Sequence, residues 1–228
     1  MLTAAVLPVK RFALAKQRLG AGLDGSLRRR LAEAMVTDVL EALVQVSGLA
    51  RIIVVTGEPD VLLAAQHAGA IVVDDGAQPG QSQAAARGVT RARSEGMQRV
   101  LLIPGDCPTL DPTELARLLE PRAEREVVII PDRHGSGTNG LLLTPPDVIA
   151  PGFGPGSFER HRDRAERTGV RWRTERPPSL LLDIDTGEDL RLLRERLAAG
   201  SPWASRARAV LQGSSEREAS STPAAEPR

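Results

Sequence analysis

An α/β fold around a mostly parallel sheet is predicted by three observations. Short apolar runs alternate with longer amphipathic stretches along the chain. Several of the runs are apolar at consecutive positions, as strands covered on both faces must be. The length of 228 residues allows one domain, or one domain plus a tail, with a sizeable core. Strand and helix taking turns fold as a helix–sheet–helix sandwich.

The elements follow in order. The run Thr3–Pro8 is the first strand, and Leu27–Val46 has helical spacing. Arg51–Thr56 and Ala70–Val73 are short aliphatic runs on either side of the helical stretch Pro59–Ala68. Gln81–Glu95 is helical, Val100–Pro104 is a strand and Thr113–Leu119 is helical again. Val127–Pro131 and Gly140–Thr144 are two more strands, followed by the helical stretch Ser157–Arg167. Val170–Thr174 alternates apolar and polar, which predicts an extra, antiparallel strand. Ser179–Asp183 reads as a last strand and Glu188–Ala199 as a helix. From Ser201 the chain is Ser, Ala, Pro, Glu and Arg, without periodicity past Leu211. Residues 1–200 are therefore expected to form the domain and 201–228 an extension, disordered from about 212.

Composition excludes several classes. A formal charge of +1 gives no global attraction to nucleic acid or to an anionic membrane. The single cysteine, Cys107, excludes a disulfide framework. No apolar stretch approaches the ~20 residues of a membrane span, and Met1–Val9 is too short for a signal peptide. The expectation is a soluble, cytoplasmic protein. All but two of the 30 Lys and Arg residues are Arg. The exceptions, Lys10 and Lys16, share one segment with Arg11 and Arg18 directly beyond the first strand. Lysine is a compact point charge suited to a phosphate oxygen, whereas arginine is a planar fork. In open α/β sheets ligands sit beyond the carboxyl ends of the strands. The loops after the first, fourth and sixth strands are therefore where chemistry is expected. The basic segment is a candidate triphosphate clamp, though it has neither the P-loop pattern nor the dinucleotide-binding glycines.

Further constellations point to the same edge. Gly105-Asp-Cys-Pro108 places Asp106 at the end of an apolar strand, where a carboxylate is a natural Mg²⁺ ligand or, alternatively, a turn cap. Asp183 and Asp185 lie two apart at the end of another apolar run and share a face if a strand continues. Asp185 or Thr186 is equally placed to cap the next helix. Pro131-Asp-Arg-His-Gly-Ser-Gly-Thr-Asn-Gly140 is dense in Gly, Ser and Thr and has the makings of a backbone-rich anion cradle. Gly154, Gly156 and Ser157 open a helix whose N–H groups suit an anion, with Ser157 a simple N-cap as the alternative. Gly80, Gln81 and Ser82 open another with side chains suited to a base edge or ribose. Cys107 reads as a packed residue rather than a nucleophile and His134 as a loop residue rather than a base.

Together these motifs resemble the 2-phospho-L-lactate guanylyltransferase family, CofC and its actinobacterial form FbiD, over about residues 3–199. The resemblance rests on Val-Lys-x5-Lys-x-Arg-Leu at 9–19, Gly-Asp-Cys-Pro at 105–108, the 131–143 segment, Phe-Gly-Pro-Gly-Ser-Phe at 153–158 and Asp-Ile-Asp-Thr at 183–186. It implies a GT-A-like fold of the nucleotide-diphospho-sugar transferase type and a step of coenzyme F(420) biosynthesis. GTP would be the donor, Mg²⁺ the cofactor and pyrophosphate a product. It further implies Asp106, Asp183 and Asp185 as metal ligands, with Lys10, Lys16 and Arg18 beside Asp106 in catalysis. Thr138, Asn139, Gly154 and Ser157 would hold a small phosphorylated three-carbon acid, and Pro8, Gly80, Gln81 and Ser82 the nucleotide. Phosphoenolpyruvate is favoured as acceptor by the Arg/Ala-rich bacterial character, with 2-phospho-L-lactate and 3-phosphoglycerate open, because Asn139 stands where related enzymes have a second Thr. A downstream transferase would take the product, and a homodimer is open. The alternatives are a molybdopterin- or sugar-phosphate-type nucleotidyltransferase and a non-catalytic nucleotide-binding regulator.

Overall fold

A computed structural model describes residues 1–12, 19, 24–76 and 80–220, with backbone alone for 215–220. Lys16 and Arg18 lie outside the described residues. The strands are β1 (Thr3–Val9), β2 (Leu49–Thr56), β3 (Ile71–Val73), β4 (Arg99–Leu102), β5 (Glu126–Pro131), β6 (Thr138–Thr144) and β7 (Trp172–Thr174). The helices are α1 (Gly25–Val44), α2 (Pro59–His67), α3 (Gln81–Ser94), α4 (Pro112–Leu118), α5 (Ser157–Thr168), α6 (Gly187–Ala198) and α7 (Ser205–Ser220). The strands form one sheet in the order β3-β2-β1-β4-β6-β5-β7. β6 runs antiparallel to both neighbours, and the remaining pairs are parallel.

The period of two along the strands makes three layers. Ala5, Leu7 and Val9 of β1 face one side with Val36, Val39 and Leu40 of α1 and Leu115 of α4. Ala4 and Val6 face the other, with Ala85 and Val89 of α3 and Ala165 of α5. Each fully buried aliphatic side chain contributes roughly 1.5–3 kcal/mol. A third cluster joins Leu27, Leu31 and Met35 of α1 to Leu190 and Leu193 of α6 and Ala207 and Leu211 of α7. α1 is therefore buried on two sides.

Three elements differ from the sequence expectation. β7 pairs parallel with β5, and the antiparallel strand is β6, so the start of β6, not its end, meets the ligand edge. No strand forms over Ser179–Asp183. Pro178–Leu180 is a 3₁₀ turn, preceded by Pro177. The two prolines have no N–H for a ladder, the Ser179 N–H donates to Glu114 Oε2 at 2.9 Å, and the Leu180 carbonyl is taken by Asn139. Finally, α7 carries helical backbone through Ser220, past the point where the sequence predicts a tail. Asp38 of α1, buried, accepts from the Arg206 and Ala207 N–H groups at 2.9 Å each and so caps the first turn of α7.

Candidate active site at the carboxyl edge of the sheet

A cavity of about 780 Å³ opens at the carboxyl ends of β1 and β4. Its position follows from register. β1 and β4 are parallel with Ala5 opposite Leu101, so Lys10 and Asp106 emerge from the same edge. β6 runs back with Leu141 opposite Leu102, which returns Thr138 and Asn139 to that edge. Pro8, Val9 and Lys10 form one wall, Gln81 at the start of α3 another, and Met35 and Val36 of α1 a floor. The volume is within the range of ligand sites and large enough for a nucleotide with a small acid.

Four carboxylates border the cavity: Asp106, Asp183 and Asp185 on two acidic loops, and Asp132 on the loop after β5. Asp106 follows Gly105, where an added Cβ would lie 3.0 Å from Val36 Cγ2, so the glycine lets the loop press onto α1. The Ile184 N–H donates to the Asp106 carbonyl at 3.0 Å and stitches the two acidic loops together. Asn139 Nδ2 donates to the Leu180 carbonyl at 2.9 Å and to Asp183 Oδ1 at 3.0 Å. Both amide hydrogens of Asn139 are thereby committed to the Asp183 loop. Burial raises the Asp183 pKa above the usual carboxylate value, the Asp106 charge adds to the rise and Asp185 adds less, while the Asn139 hydrogen bond opposes it. Asp185 is held through the backbone: its N–H and that of Thr186 donate to Asp189 Oδ2 at 3.2 and 2.7 Å. Thr186 is the N-cap of α6 in a capping box with Asp189, and Arg133 reaches across from the 132–137 loop to Asp189 Oδ1 at 2.9 Å.

These are hard oxygen donors that repel one another, a set that fits a divalent cation such as Mg²⁺. Among the described residues no three His, Cys, Asp or Glu side chains form a ready-made metal cage. The set therefore suits an ion that keeps water and takes substrate phosphates as further ligands.

The opposite wall is the small-residue cradle. Asp132 organises it: Oδ1 accepts from the Ser136 N–H at 3.0 Å and Oδ2 from the Gly137 N–H at 2.9 Å. A Cβ at Gly137 would meet Asp132 Oδ2 at 2.6 Å, so this turn needs glycine. Thr138, buried, lines the cavity with its hydroxyl 3.1 Å from His161 Nδ1. Gly154 and Ser157 line the same cavity, Ser157 from the start of α5, whose N-cap is Gly156 at φ +68°, so Ser157 is the first helical residue. The Ser82 hydroxyl donates to the Phe153 carbonyl at 3.3 Å and links α3 to this loop.

The first loop is anchored where it leaves β1. The Phe12 N–H donates to Glu58 Oε2 at 2.8 Å, and Arg29 pairs with both Glu58 and Asp60. Lys10 stands just before this anchor, exposed and on the cavity wall.

Of the residues expected at the site, Pro8, Lys10, Gln81, Asp106, Thr138, Asn139, Gly154, Ser157, Asp183 and Asp185 line one cavity. Gly80, the N-cap of α3 at φ +91°, and Ser82 are not on its wall. Cys107 is fully buried, as a packed residue is. Asp132 and His161 escape sequence reasoning. Asp132 leaves a weak signal, an acidic residue just ahead of a Gly/Ser turn. His161 leaves one only in hindsight, one helical turn after Ser157.

A family model described as guanylyl transferase CofC-like matches residues 3–201. The chain is similar to a phosphoenolpyruvate guanylyltransferase of Conexibacter woesei, 49% identical over 213 residues, 92% of this chain and 96% of that one. It is also similar to a 2-phospho-L-lactate guanylyltransferase of Methanothermobacter thermautotrophicus, 33% identical over 190 residues and 83% of each chain. Among solved structures, one described as a nucleotide-diphospho-sugar transferase from Desulfovibrio desulfuricans superposes with a TM-score of 0.72 at 18% identity, covering 95% of this chain and 96% of that one. That likeness is one of fold, the GT-A-like sandwich with a mostly parallel mixed sheet.

Proposed function

The chain belongs to the CofC-like guanylyl transferase family, and from that membership we propose that it moves GMP from GTP onto the phosphate of phosphoenolpyruvate in coenzyme F(420) biosynthesis. One observation carries the reading: two acidic loops, an anion cradle and Lys10 open into a single cavity. The acceptor follows the name of the Conexibacter woesei relative. The Methanothermobacter relative, named for 2-phospho-L-lactate, sets the first competitor.

The acceptor phosphate is ionised at pH 7 and is itself the nucleophile. Its oxygen forms a bond to the α-phosphorus of GTP, the bond from that phosphorus to the β-phosphate bridging oxygen breaks, and pyrophosphate leaves with the electron pair. No strong base is required, and the chain's work is orientation and charge neutralisation. Thr138, Gly154 and Ser157 hold the acceptor. Pro8 and Gln81, at the start of α3, hold the nucleotide. Lys10, with Lys16 and Arg18 farther along the same segment, takes charge developing on the leaving pyrophosphate. Asp106, Asp183 and Asp185 would hold Mg²⁺, which when bound neutralises phosphate oxygens. Asn139 keeps Asp183 turned toward that position. The product would pass to a downstream transferase, and the cytoplasm, where GTP and phosphoenolpyruvate occur, is the proposed place of action. Among the described residues no helix is long and apolar enough to cross a membrane.

The test is to incubate the protein with Mg²⁺, each nucleoside triphosphate and each of phosphoenolpyruvate, 2-phospho-L-lactate and 3-phosphoglycerate, and to measure pyrophosphate. Release with GTP and phosphoenolpyruvate is expected. No release with any acid sinks the reading, and release with CTP alone indicates a cytidylyltransferase.

A further inference from the structure

His161 is fully buried on α5, one turn beyond Ser157. Its Nε2 lies 2.8 Å from the Gly152 backbone nitrogen. A backbone N–H can only donate, so Nε2 must carry a lone pair. A neutral imidazole has one ring hydrogen, which is then on Nδ1, and Nδ1 faces Thr138 Oγ1 at 3.1 Å. The ring donates and the Thr138 oxygen accepts. The Thr138 hydroxyl hydrogen is left to point elsewhere, and Thr138 lines the cavity.

We propose that His161 is a positioning residue of the acceptor subsite: it occupies one lone pair of the Thr138 hydroxyl and leaves its hydrogen to donate into the cavity, where a carboxylate or phosphate oxygen of the acceptor takes it. The inference deepens the proposed function and rests on it for the identity of the acceptor. Two further features agree with it. Burial, with the Arg164 and Arg160 charges, pushes the His161 pKa down to about 4, so the ring is neutral at pH 7. Arg160 and Arg164 direct their guanidinium hydrogen bonds to backbone carbonyls. They donate to the Gly152 and Ala150 carbonyls at 2.7 and 2.6 Å and clamp the 150–155 loop onto α5. The Phe153 ring meets the imidazole edge-on, with centroids 5.3 Å apart. His161 thus ties β6, which carries Thr138, to the loop that carries Gly154, and sets the spacing of the two cradle walls.

Two measurements on the full chain test this. The first is the ¹⁵N spectrum of the imidazole rings without substrate near pH 7, readily assigned because the sequence has three histidines. His161 is expected to be neutral with its proton on Nδ1, and a proton on Nε2 or a charged ring overturns the proposal. The second is kinetic, with GTP, Mg²⁺ and phosphoenolpyruvate. His161→Leu should raise KM for phosphoenolpyruvate about ten- to a hundredfold, the loss of one hydrogen bond to an anion, with KM for GTP held within about twofold. His161→Gln can accept from Gly152 and donate to Thr138 together, and it should return KM to within about threefold of the original. An unchanged phosphoenolpyruvate KM in His161→Leu, or a parallel rise in both KM values that Gln does not relieve, overturns the proposal. Should His161→Leu fail to fold, the Gln variant and the ring spectrum decide. A parent protein that releases no pyrophosphate defeats the proposed function instead, and the ring spectrum still decides the tautomer.

Discussion

Asn139 shows how a residue's role changes when its partners are known. Its place in a small polar segment marks it as a substrate contact, but its amide hydrogens go to Leu180 and Asp183. Asn139→Leu should therefore raise the Mg²⁺ concentration for half-maximal pyrophosphate release by about ten- to a hundredfold, as loss of an outer partner of a metal ligand does, with the GTP requirement little changed. An unshifted Mg²⁺ titration contradicts that role. Asp106→Asn should lower turnover by about a hundredfold or more with the thermal midpoint held within a few degrees, and near-normal turnover removes Asp106 from the metal site. Lys16→Arg should also impair turnover if a point charge is required, and an unimpaired variant would make the placement of the two lysines incidental. Asp106, Asp183 and Asp185 were legible in the sequence because each sits in a short local motif. His161 was not, because Thr138 lies 23 residues away and only folding makes them neighbours.

Elements were legible wherever pattern and packing agree. Apolar runs became strands because both sheet faces are covered. The exceptions are physical. The run over 179–183 has the apolar content of a strand, but its Ser179 N–H and Leu180 carbonyl are taken by Glu114 and Asn139. β6 and β7 exchange their expected directions because direction is set by the connections rather than by composition. α3 presses on β1 so closely that a Cβ at Gly88 would lie 2.2 Å from Val6 Cγ1. Gly88→Ala should destabilise by about 1–3 kcal/mol and displace Gln81 at the head of the helix, read as a lower melting temperature together with a higher KM for GTP. A melting temperature equal to the parent's contradicts this packing.

At the scale of the molecule, two buried groups act on stability with opposite sign. Burial raises Asp38 to about 6 from the ordinary 3.8, so the folded state binds the extra proton and stability falls as pH rises from about 4 to 6. His161 is lowered to about 4 from 6.5, so the unfolded state binds the extra proton and stability falls as pH drops through the same window. Each is worth on the order of 3 kcal/mol, and the two oppose one another. Thermal unfolding between pH 4 and 6 should then steepen in favour of higher pH in Asp38→Asn and in favour of lower pH in His161→Gln. Parallel profiles for the parent and both variants contradict the linkage.

The sequence by itself determined the three-layer α/β sandwich, the family and the carboxylates, because hydrophobic period and contiguous motifs are local properties of the chain. The tertiary structure alone decided which strand runs backward, that α7 closes over α1, that Asn139 serves Asp183 and that His161 sets the Thr138 hydroxyl. Each of these depends on a hydrogen bond or a packed face between residues distant in sequence, and such a partner is specified only when the sheet brings both to the same edge.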